Sequence, residues 1–309
     1  MMVIGFLLAV SVIRYLSRDI TPDPQFITNA ALYFLIAGVL GARIFYVVHH
    51  FDKFQGDMLS VFAIWQGGLE LLGGVIAIAV IVFYMWYHKL PVRRYLDILA
   101  VGLMLALAFG RIGCFLNGCC FGKPTNLPWG IRFPYDSLAY RSQVYPDPAR
   151  NRSKPQLELP AEFFGYFDKD GNWVQDLKPY KYLDSGQKGK VDKGPYRCLP
   201  VHPTQLYSSL NALFGCLILY LFWRRSRRIA ESGNSKKLCA KPGCTFGLMF
   251  ILYGIARFLI EFLRDDNPFE FDSLTISQNM SIVMLILGVV LMIIFEKMKL
   301  YKSTTNNSK

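Results

Sequence analysis

The amino-acid sequence predicts an all-α polytopic membrane protein with seven transmembrane helices and a small extracytoplasmic head. Hydrophobic residues make up 53% of the 309 residues, charged residues make up 18%, and the mean hydropathy is +0.28. An ordinary soluble domain has about 25% charged residues. The composition therefore excludes a disordered chain, and the seven cysteines show no spacing typical of a disulfide framework. The net charge of +12 is better explained by membrane topology than by an acidic partner, and we expect no nucleic-acid partner.

Seven apolar runs supply the predicted helices, since a membrane helix needs about 20 mainly apolar residues. In chain order the runs are 1–13, 24–51, 71–88, 97–122, 201–223, 242–263 and 273–295. The first is short, but Arg14 and Arg18 follow it, whereas the charges of a signal peptide precede its apolar core. The third, fifth and seventh runs carry no charged residue, while the second, fourth and sixth contain arginine.

The distribution of basic residues predicts the orientation of these helices. Lysine and arginine concentrate in the loops after spans one, three, five and seven, as in the run 224–228. The two short loops on the opposite side hold Lys53 and an acidic segment, 265–272. Cytoplasmic loops carry the basic excess, so we expect the N-terminus outside and the C-terminus in the cytoplasm.

The predicted organisation has four parts. Residues 1–122 form spans one to four, 123–199 form the head, 200–298 form spans five to seven, and 299–309 form a cytoplasmic tail. The head segment is rich in Pro, Tyr, Asp and Lys and has no apolar run long enough to span. Four spans precede it and the N-terminus is predicted outside, so the head segment is also expected outside. Its stretch 167–193 is punctuated by glycines, which indicates turns and short strands.

Four arginines fall toward the outer ends of their spans. They are Arg43, Arg111, Arg257 and Arg264. Charged side chains are costly in a bilayer and usually face a bundle interior or a polar cavity. One interpretation is that these arginines join helices by pairing with Glu261, Asp97 and Glu70. Four arginines from three helices at similar depth favour the other interpretation, an anion site, because the guanidinium fork matches phosphate oxygens.

Local patterns indicate polar openings at the same outer ends. Glycines in 110–122 and in 65–74 suggest that spans four and three unwind there, which is tolerated at membrane depth only beside a cavity or buried surface. Arg257, Glu261 and Arg264 follow a spacing of four and three, which puts them on one face of span six. The segment 202–207 starts span five with Thr204 as the predicted helix cap.

These motifs together resemble the prolipoprotein diacylglyceryl transferases over nearly the whole chain. The matching segments are GARIFYV at 41–47, WQGGLELLGGVI at 65–76, Asp97, GRIGCFLNGCCFG at 110–122, HPTQLY at 202–207 and RFLIEFLR at 257–264. The glycine-rich match centred on Arg111, at 110–122, is the most specific of them.

The resemblance implies transfer of a diacylglyceryl group from phosphatidylglycerol to the lipobox cysteine of a preprolipoprotein, with release of glycerol phosphate. It implies a multi-pass protein of the bacterial cytoplasmic (inner) membrane whose active site faces the outer leaflet. The implied partners are phosphatidylglycerol, preprolipoprotein signal peptides and membrane lipids. We expect neither a cofactor nor a metal.

The resemblance also implies the site residues. The catalytic candidates are Arg111, Arg257, His202 and Glu261. The substrate-binding candidates are Arg111, Arg43, Asn117, Gly113, Gly122, Gln205, Tyr207 and Arg264. Arg111 corresponds to the family's headgroup-binding arginine, and Glu261 is expected to orient Arg257 or Arg264 through a salt bridge.

The sequence departs from the family pattern at four positions. Leu72 replaces a histidine, Cys114 and Cys119 replace asparagine and glutamate, and Ser208 replaces a glutamate. His202 is then the histidine at the right depth for a general base, although it could equally cap span five. The alternative function is a divergent non-catalytic, or differently specific, membrane protein that binds an anionic phospholipid. Cys119 and Cys120 could form a metal pair, but packing is favoured.

Overall fold

The computed structural model describes most of the chain. The described residues are 1–20, 24–51, 61, 79, 82–83, 87, 91–169, 171–232, 241–271 and 274–298. Most of the predicted third span, 71–88, lies outside them, as do the motif 65–76 with Glu70 and Leu72 and the predicted tail 299–309.

The described residues are mainly helical. The longer helices are α1 (Met2–Leu16), α2 (Pro24–His49), α3 (Val92–Asn117), α6 (Thr204–Glu231), α7 (Cys244–Glu261) and α8 (Ile276–Lys297). Two shorter helices, α4 (Leu138–Val144) and α5 (Ser185–Asp192), lie in the segment predicted as the head. A mostly helical fold is therefore confirmed.

Four helices in the described part are long and apolar enough to cross a membrane. They are Val92–Asn117, Thr204–Ala230, Cys244–Glu261 and Ile276–Lys297, and two shorter apolar helices cover Met2–Leu16 and Ile36–His49. Only 17% of the apolar window of α8 is buried inside the protein. Apolar surface of that extent needs a non-aqueous environment, which is consistent with a polytopic membrane protein. The count of seven spans and the orientation stay predictions.

The helices pack around a common apolar core. Ile98 and Met104 of α3, Leu219 of α6 and Met249 of α7 belong to one buried cluster. Helix α1 lies against α3, and α8 lies against α7. A Cβ atom on Gly288 of α8 would lie 2.8 Å from the Gly247 carbonyl oxygen, so this crossing requires glycine.

Of the glycines in 110–122, Gly118 ends the helix within predicted span four, whereas Gly110 and Gly113 do not interrupt it. Helix α3 continues through Gly110 and Gly113 and ends at Asn117, where Gly118 takes a left-handed conformation with φ 70°. A single glycine costs a helix only about 1 kcal/mol, which packing against neighbouring helices offsets. The break falls at the helix end.

Two small antiparallel sheets accompany the helices in the described residues. Strand β1 (Phe164–Phe167) pairs with β2 (Trp173–Leu177), and β3 (Phe269–Phe271) pairs with β4 (Leu274–Thr275). The first pair matches the short strands expected in the head. Each pair connects segments too short to span, where adjacent strands satisfy their backbone groups locally.

Within 167–193, the sequence indicated only turns and strands, but α5 forms there. Asp184 accepts a hydrogen bond from the Gln187 amide, and the Gln187 side chain accepts one from the Asp184 amide. This capping box starts the helix despite Gly186 and Gly189. The head has its own buried core, with Tyr140, Phe163 and Leu177 among its members.

Candidate functional site

Three segments that are distant in sequence meet at Gly122. The Gly122 amide donates a hydrogen bond to the His202 carbonyl at 3.1 Å, and the Lys123 amide donates one to the Leu263 carbonyl at 2.8 Å. The His202 amide in turn donates to the Lys123 carbonyl at 3.0 Å. These bonds join the C-terminal ends of α3 and α7 to the N-terminal end of α6.

Gly122 is required by this close approach. A Cβ atom at this position would lie 2.6 Å from both the Cβ atom and the carbonyl oxygen of His202, and 2.8 Å from the Leu263 carbonyl oxygen. Two of these three neighbours are backbone atoms, which cannot move without separating the segments. Gly122 was predicted to bind substrate, and its contacts indicate that it holds the three segments together.

The turn at Cys119 and Cys120 is fixed from α6. Gln205 Nε2 donates to the Cys119 carbonyl at 2.8 Å, and Thr204 Oγ1 donates to the Cys120 carbonyl at 2.7 Å. Thr204 was predicted to cap α6, which is wrong: the N-cap residue is Pro203, without a side-chain hydrogen bond. The Thr204 hydroxyl is instead used by the turn, which would otherwise leave a carbonyl without a partner.

Glu261 is the centre of a buried polar network. Its side chain is fully buried, and its Oε2 lies 2.7 Å from Arg257 Nη1 and 3.7 Å from Arg264 Nε. Its Oε1 accepts hydrogen bonds from Asn267 Nδ2 at 2.6 Å and Thr275 Oγ1 at 2.8 Å. A buried carboxylate needs such partners, and here they bring both arginines to one anchor.

Arg264 is held by two acids. Its Nε and Nη2 donate to the two carboxylate oxygens of Asp266, at 2.8 and 2.6 Å. Burial opposes charging of Arg264, but the hydrogen bonds and charge of Asp266 outweigh it and raise the pKa. Because the Nε–Nη2 edge of the guanidinium faces carboxylates, the contacts favour a role in organising the site.

Arg111 has a different environment. It is half-buried, its Nη1 lies 3.8 Å from Cys120 Sγ, and its charge repels Arg257 more weakly than the charge of Arg264 does. Within the described residues Arg111 forms no ion pair with a carboxylate. An anion between Arg111 and Arg257 would relieve this repulsion.

His202 and Tyr207 form a short polar chain at the start of α6. His202 Nδ1 lies 3.4 Å from Tyr207 Oη, and Trp129 Nε1 donates a hydrogen bond to the same oxygen at 2.7 Å. His202 is half-buried. Gln205, by contrast, is buried and occupied with the Cys119 carbonyl.

The remaining predicted site residues lie around this junction or apart from it. Asn117 is the exposed last residue of α3, and a Cβ atom on Gly113 would lie 3.4 Å from Met1 Cβ. Arg43 is buried in α2, where its Nε donates to the Val61 carbonyl at 2.8 Å and its guanidinium stacks on Tyr46. These contacts do not include the Glu261 network.

Asp97 does not pair with the arginines, contrary to one of the two interpretations. Its carboxylate accepts hydrogen bonds from the Gly243 and Phe246 amides, at 2.7 and 3.0 Å, at the start of α7. The 14 residues between Asp97 and Arg111 in α3 correspond to about 21 Å. The positive end of the α7 dipole satisfies this acid instead.

Sequence reasoning missed the polar residues that complete the network. Asp265 pairs with Arg152 at 2.8 Å and with Arg150 at 3.6 Å, and Arg257 Nη2 donates to Ser277 Oγ at 2.6 Å. The acidic run directly after Arg264 was a usable signal. Nothing in the sequence links Arg150 or Ser277 to the site, because these contacts depend on the tertiary fold.

Cys119 is a poor candidate for a nucleophile. Cys119 is half-buried, and its thiol donates to the Cys114 carbonyl at 3.7 Å. The thiolate is the reactive form, and this contact favours the protonated thiol. Ser208 lies in α6 and is another position where the sequence departs from the family pattern. Its hydroxyl donates to the Thr204 carbonyl at 2.7 Å.

Comparisons with known proteins agree with the resemblance seen in the motifs. A family model for the prolipoprotein diacylglyceryl transferases matches residues 1–294. A phosphatidylglycerol–prolipoprotein diacylglyceryl transferase from Clostridium perfringens is 29% identical over 296 residues, covering 93% of this chain and 88% of the relative. Proteins of the same name from Synechococcus elongatus and Chloroflexus aggregans are 27% and 30% identical, covering 92% and 82% of this chain and 77% and 67% of the relatives. The chain belongs to the prolipoprotein diacylglyceryl transferase family.

Proposed function

We propose that this protein transfers the diacylglyceryl group of phosphatidylglycerol to the thiol of a lipobox cysteine in a preprolipoprotein. The names of the relatives state the lipid and the protein substrate class, and those relatives cover most of this chain. The site opens at the outer leaflet of a bacterial cytoplasmic membrane, where the three connected helix ends and the head segment meet.

The reaction replaces a carbon–oxygen bond by a carbon–sulfur bond. The cysteine sulfur attacks the glyceryl carbon that bears the phosphate ester, and a thioether forms. The carbon–oxygen bond breaks, and glycerol phosphate leaves with the electron pair. The thiol proton passes to a base, because the thiolate is the effective nucleophile.

The observation that carries this proposal is the pair of cations formed by Arg111 and Arg257. Glu261 neutralises Arg257 only in part, since Arg264 approaches the same carboxylate oxygen. The phosphate of the lipid headgroup binds between Arg111 and Arg257. The same guanidinium groups stabilise the additional negative charge on the leaving phosphate, which lowers the barrier in a water-poor site.

His202 is the proposed base, and Tyr207 positions it. The Tyr207 hydroxyl oxygen accepts from Trp129 Nε1 and, in the tautomer that a base requires, also from the His202 Nδ1–H group. That contact leaves Nε2 to accept the thiol proton. Glu261 is a positioning residue, because it reaches the substrate only through the arginines.

The test is transfer to a synthetic lipobox peptide by the purified full-length protein in phosphatidylglycerol micelles. The peptide mass and the release of glycerol phosphate are measured. Arg111→Ala should lower the turnover by about 10²–10³-fold, the cost of removing one charge-stabilising donor. Arg111→Lys should recover only part of it, because lysine lacks the planar fork.

Arg228→Ala is the matched control, since Arg228 is an exposed arginine at the opposite end of α6 from Thr204. It should leave transfer unchanged. Full activity of Arg111→Ala would contradict the headgroup assignment. Lipid binding without an adduct, under conditions in which the Clostridium perfringens relative is active, would instead support the non-catalytic lipid-binding alternative.

A further inference from the structure

Three cysteine thiols converge beside the site. The Sγ atoms of Cys114, Cys119 and Cys120 all lie within 4.8 Å of one another, and all three residues are half-buried. Cys114 belongs to the last turn of α3, whereas Cys119 and Cys120 follow that helix. The sequence favoured packing at the helix end for the Cys119–Cys120 pair and did not include Cys114 in it.

The fold brings these thiols together through the turn after α3. Gly118 adopts φ 70° and Cys120 adopts φ 62°, so the chain folds back over the helix end. The Cys119 amide donates to the Cys114 carbonyl at 3.2 Å. The side chains of Gln205 and Thr204 donate to the carbonyls of Cys119 and Cys120, respectively. The backbone positions of the three cysteines are therefore held from two helices.

The size of the cluster suits a single thiophilic cation. A zinc–sulfur bond is about 2.3 Å long, which puts two sulfur ligands about 3.8 Å apart in a tetrahedral site. The Sγ atoms, at most 4.8 Å apart, would therefore have to move about 1 Å closer together to bind one cation, and rotation of the side chains can provide this movement. Half-burial leaves the fourth position accessible to water, and soft thiolate ligands select Zn²⁺ or Cu⁺ over hard cations.

Arg111 supports the charged form of the cluster. Its Nη1 points at Cys120 Sγ from 3.8 Å. Three thiolates around a divalent cation carry one net negative charge, which the guanidinium balances. Hydrogen bonds from outer groups to ligating sulfurs are a usual feature of metal–thiolate sites.

We infer that Cys114, Cys119 and Cys120 form a binding site for a d¹⁰ thiophilic cation, Zn²⁺ or Cu⁺. The cation displaces the thiol protons to solvent as it binds. The cluster shares Arg111 with the proposed headgroup site, but the test measures cation binding alone and does not depend on transfer activity.

The test is titration of the reduced full-length protein in detergent with Cd²⁺, a d¹⁰ probe with a thiolate-to-metal absorption band. We expect one Cd²⁺ per chain and displacement of Cd²⁺ by Zn²⁺. Cys114→Ser and Cys119→Ser should each weaken binding by at least about tenfold, the lower bound for the loss of even an outer-shell partner. Cys216→Ser is the matched control, because this thiol lies in α6 near the Val101 carbonyl, at 3.5 Å, and should not affect binding.

A second measurement avoids variants that could fold poorly. The wild-type protein is alkylated with and without Zn²⁺, and modified peptides are quantified by mass spectrometry. Zn²⁺ should protect Cys114, Cys119 and Cys120 but not change the modification of Cys216. Equal Cd²⁺ binding by the triple serine variant, equal alkylation with and without Zn²⁺, or a disulfide between two of the three cysteines in the isolated protein would overturn the inference.

Discussion

Two buried carboxylates at opposite ends of the helical bundle are stabilised in different ways. Asp97 is 5% exposed and accepts hydrogen bonds from two backbone amides at the start of α7. Glu261 is 2% exposed, near the other end of the same helix, and is surrounded by Arg257, Arg264 and two polar side chains. The backbone partners of Asp97 are fixed by the helix itself. The partners of Glu261 are side chains, two of them charged, that the carboxylate must hold in place.

The difference separates a structural acid from a positioning acid. Backbone amides and the helix dipole neutralise Asp97 without placing a mobile cation in the bundle. Glu261 fixes two long guanidinium side chains whose free ends would otherwise sample many rotamers. Loss of either carboxylate should destabilise the protein, but only loss of Glu261 should also disturb the arginines of the site.

The largest effect is expected at Glu261. Glu261→Ala should lower the free energy of unfolding by about 3–5 kcal/mol, because it leaves buried arginines without a counter-charge. The measurement is thermal or denaturant unfolding in detergent. Glu158→Ala, at an exposed acid, should change stability by less than about 0.5 kcal/mol. A Glu261→Ala variant as stable as the Glu158 control would remove the distinction between the two acids.

Gly122→Ala should have the next largest effect. The added methyl group would press on the His202 backbone and separate three joined segments, at a cost of about 1–3 kcal/mol in unfolding free energy. Gly189→Ala is the matched control, because no heavy atom lies within 4 Å of its Cβ position in α5. That control should be neutral or slightly stabilising. Equal stability of the two variants would show that the junction at Gly122 is not tightly packed.

A smaller effect is expected at Asp97. Asp97→Ala removes the side-chain acceptor at the start of α7 and should cost about 1 kcal/mol, the usual value for a helix cap. The transfer rate per folded molecule should stay unchanged, which is measured by normalising peptide lipidation to folded protein. A loss of transfer activity per folded molecule in this variant would contradict the purely structural role of Asp97.

The smallest effect concerns Asp176, a more exposed carboxylate of the head. A hydrogen bond from Tyr145 and contacts with Arg141 keep the pKa of Asp176 below its usual value. A carboxyl whose pKa is lowered by folding contributes stability above its unfolded pKa of about 3.9 and loses it at lower pH. The contribution should be about 1 kcal/mol or less, since the pair is partly exposed.

Unfolding of the full-length protein between pH 3 and pH 6 would measure this contribution. Asp176→Asn should flatten the stability loss below about pH 4 relative to the wild type. An unchanged pH profile would show that the hydrogen bond with Tyr145 does not favour the charged form.

Several features were predictable because each depends on neighbours in sequence. The spacing of Arg257 and Glu261 puts both on one face of α7, and the expected salt bridges to Glu261 are present. Arg264 was predicted on the same face but lies beyond the end of α7, in a bridge with Gly122. The family followed from motif order and is confirmed by the family model. The cap of α6 was not predictable from Thr204, because its hydroxyl bonds to a residue 84 positions away. The roles of the proposed site residues stay predictions.

The sequence by itself determined the apolar helices, the arginines within them and the family. These properties follow from composition and short-range periodicity, which do not depend on the path of the chain. Only the tertiary structure decided which acid meets which arginine, why Gly122 cannot carry a side chain, and that Cys114 joins Cys119 and Cys120. Each of those outcomes depends on hydrogen bonds and contacts between segments far apart in sequence, whose geometry is set by helix packing.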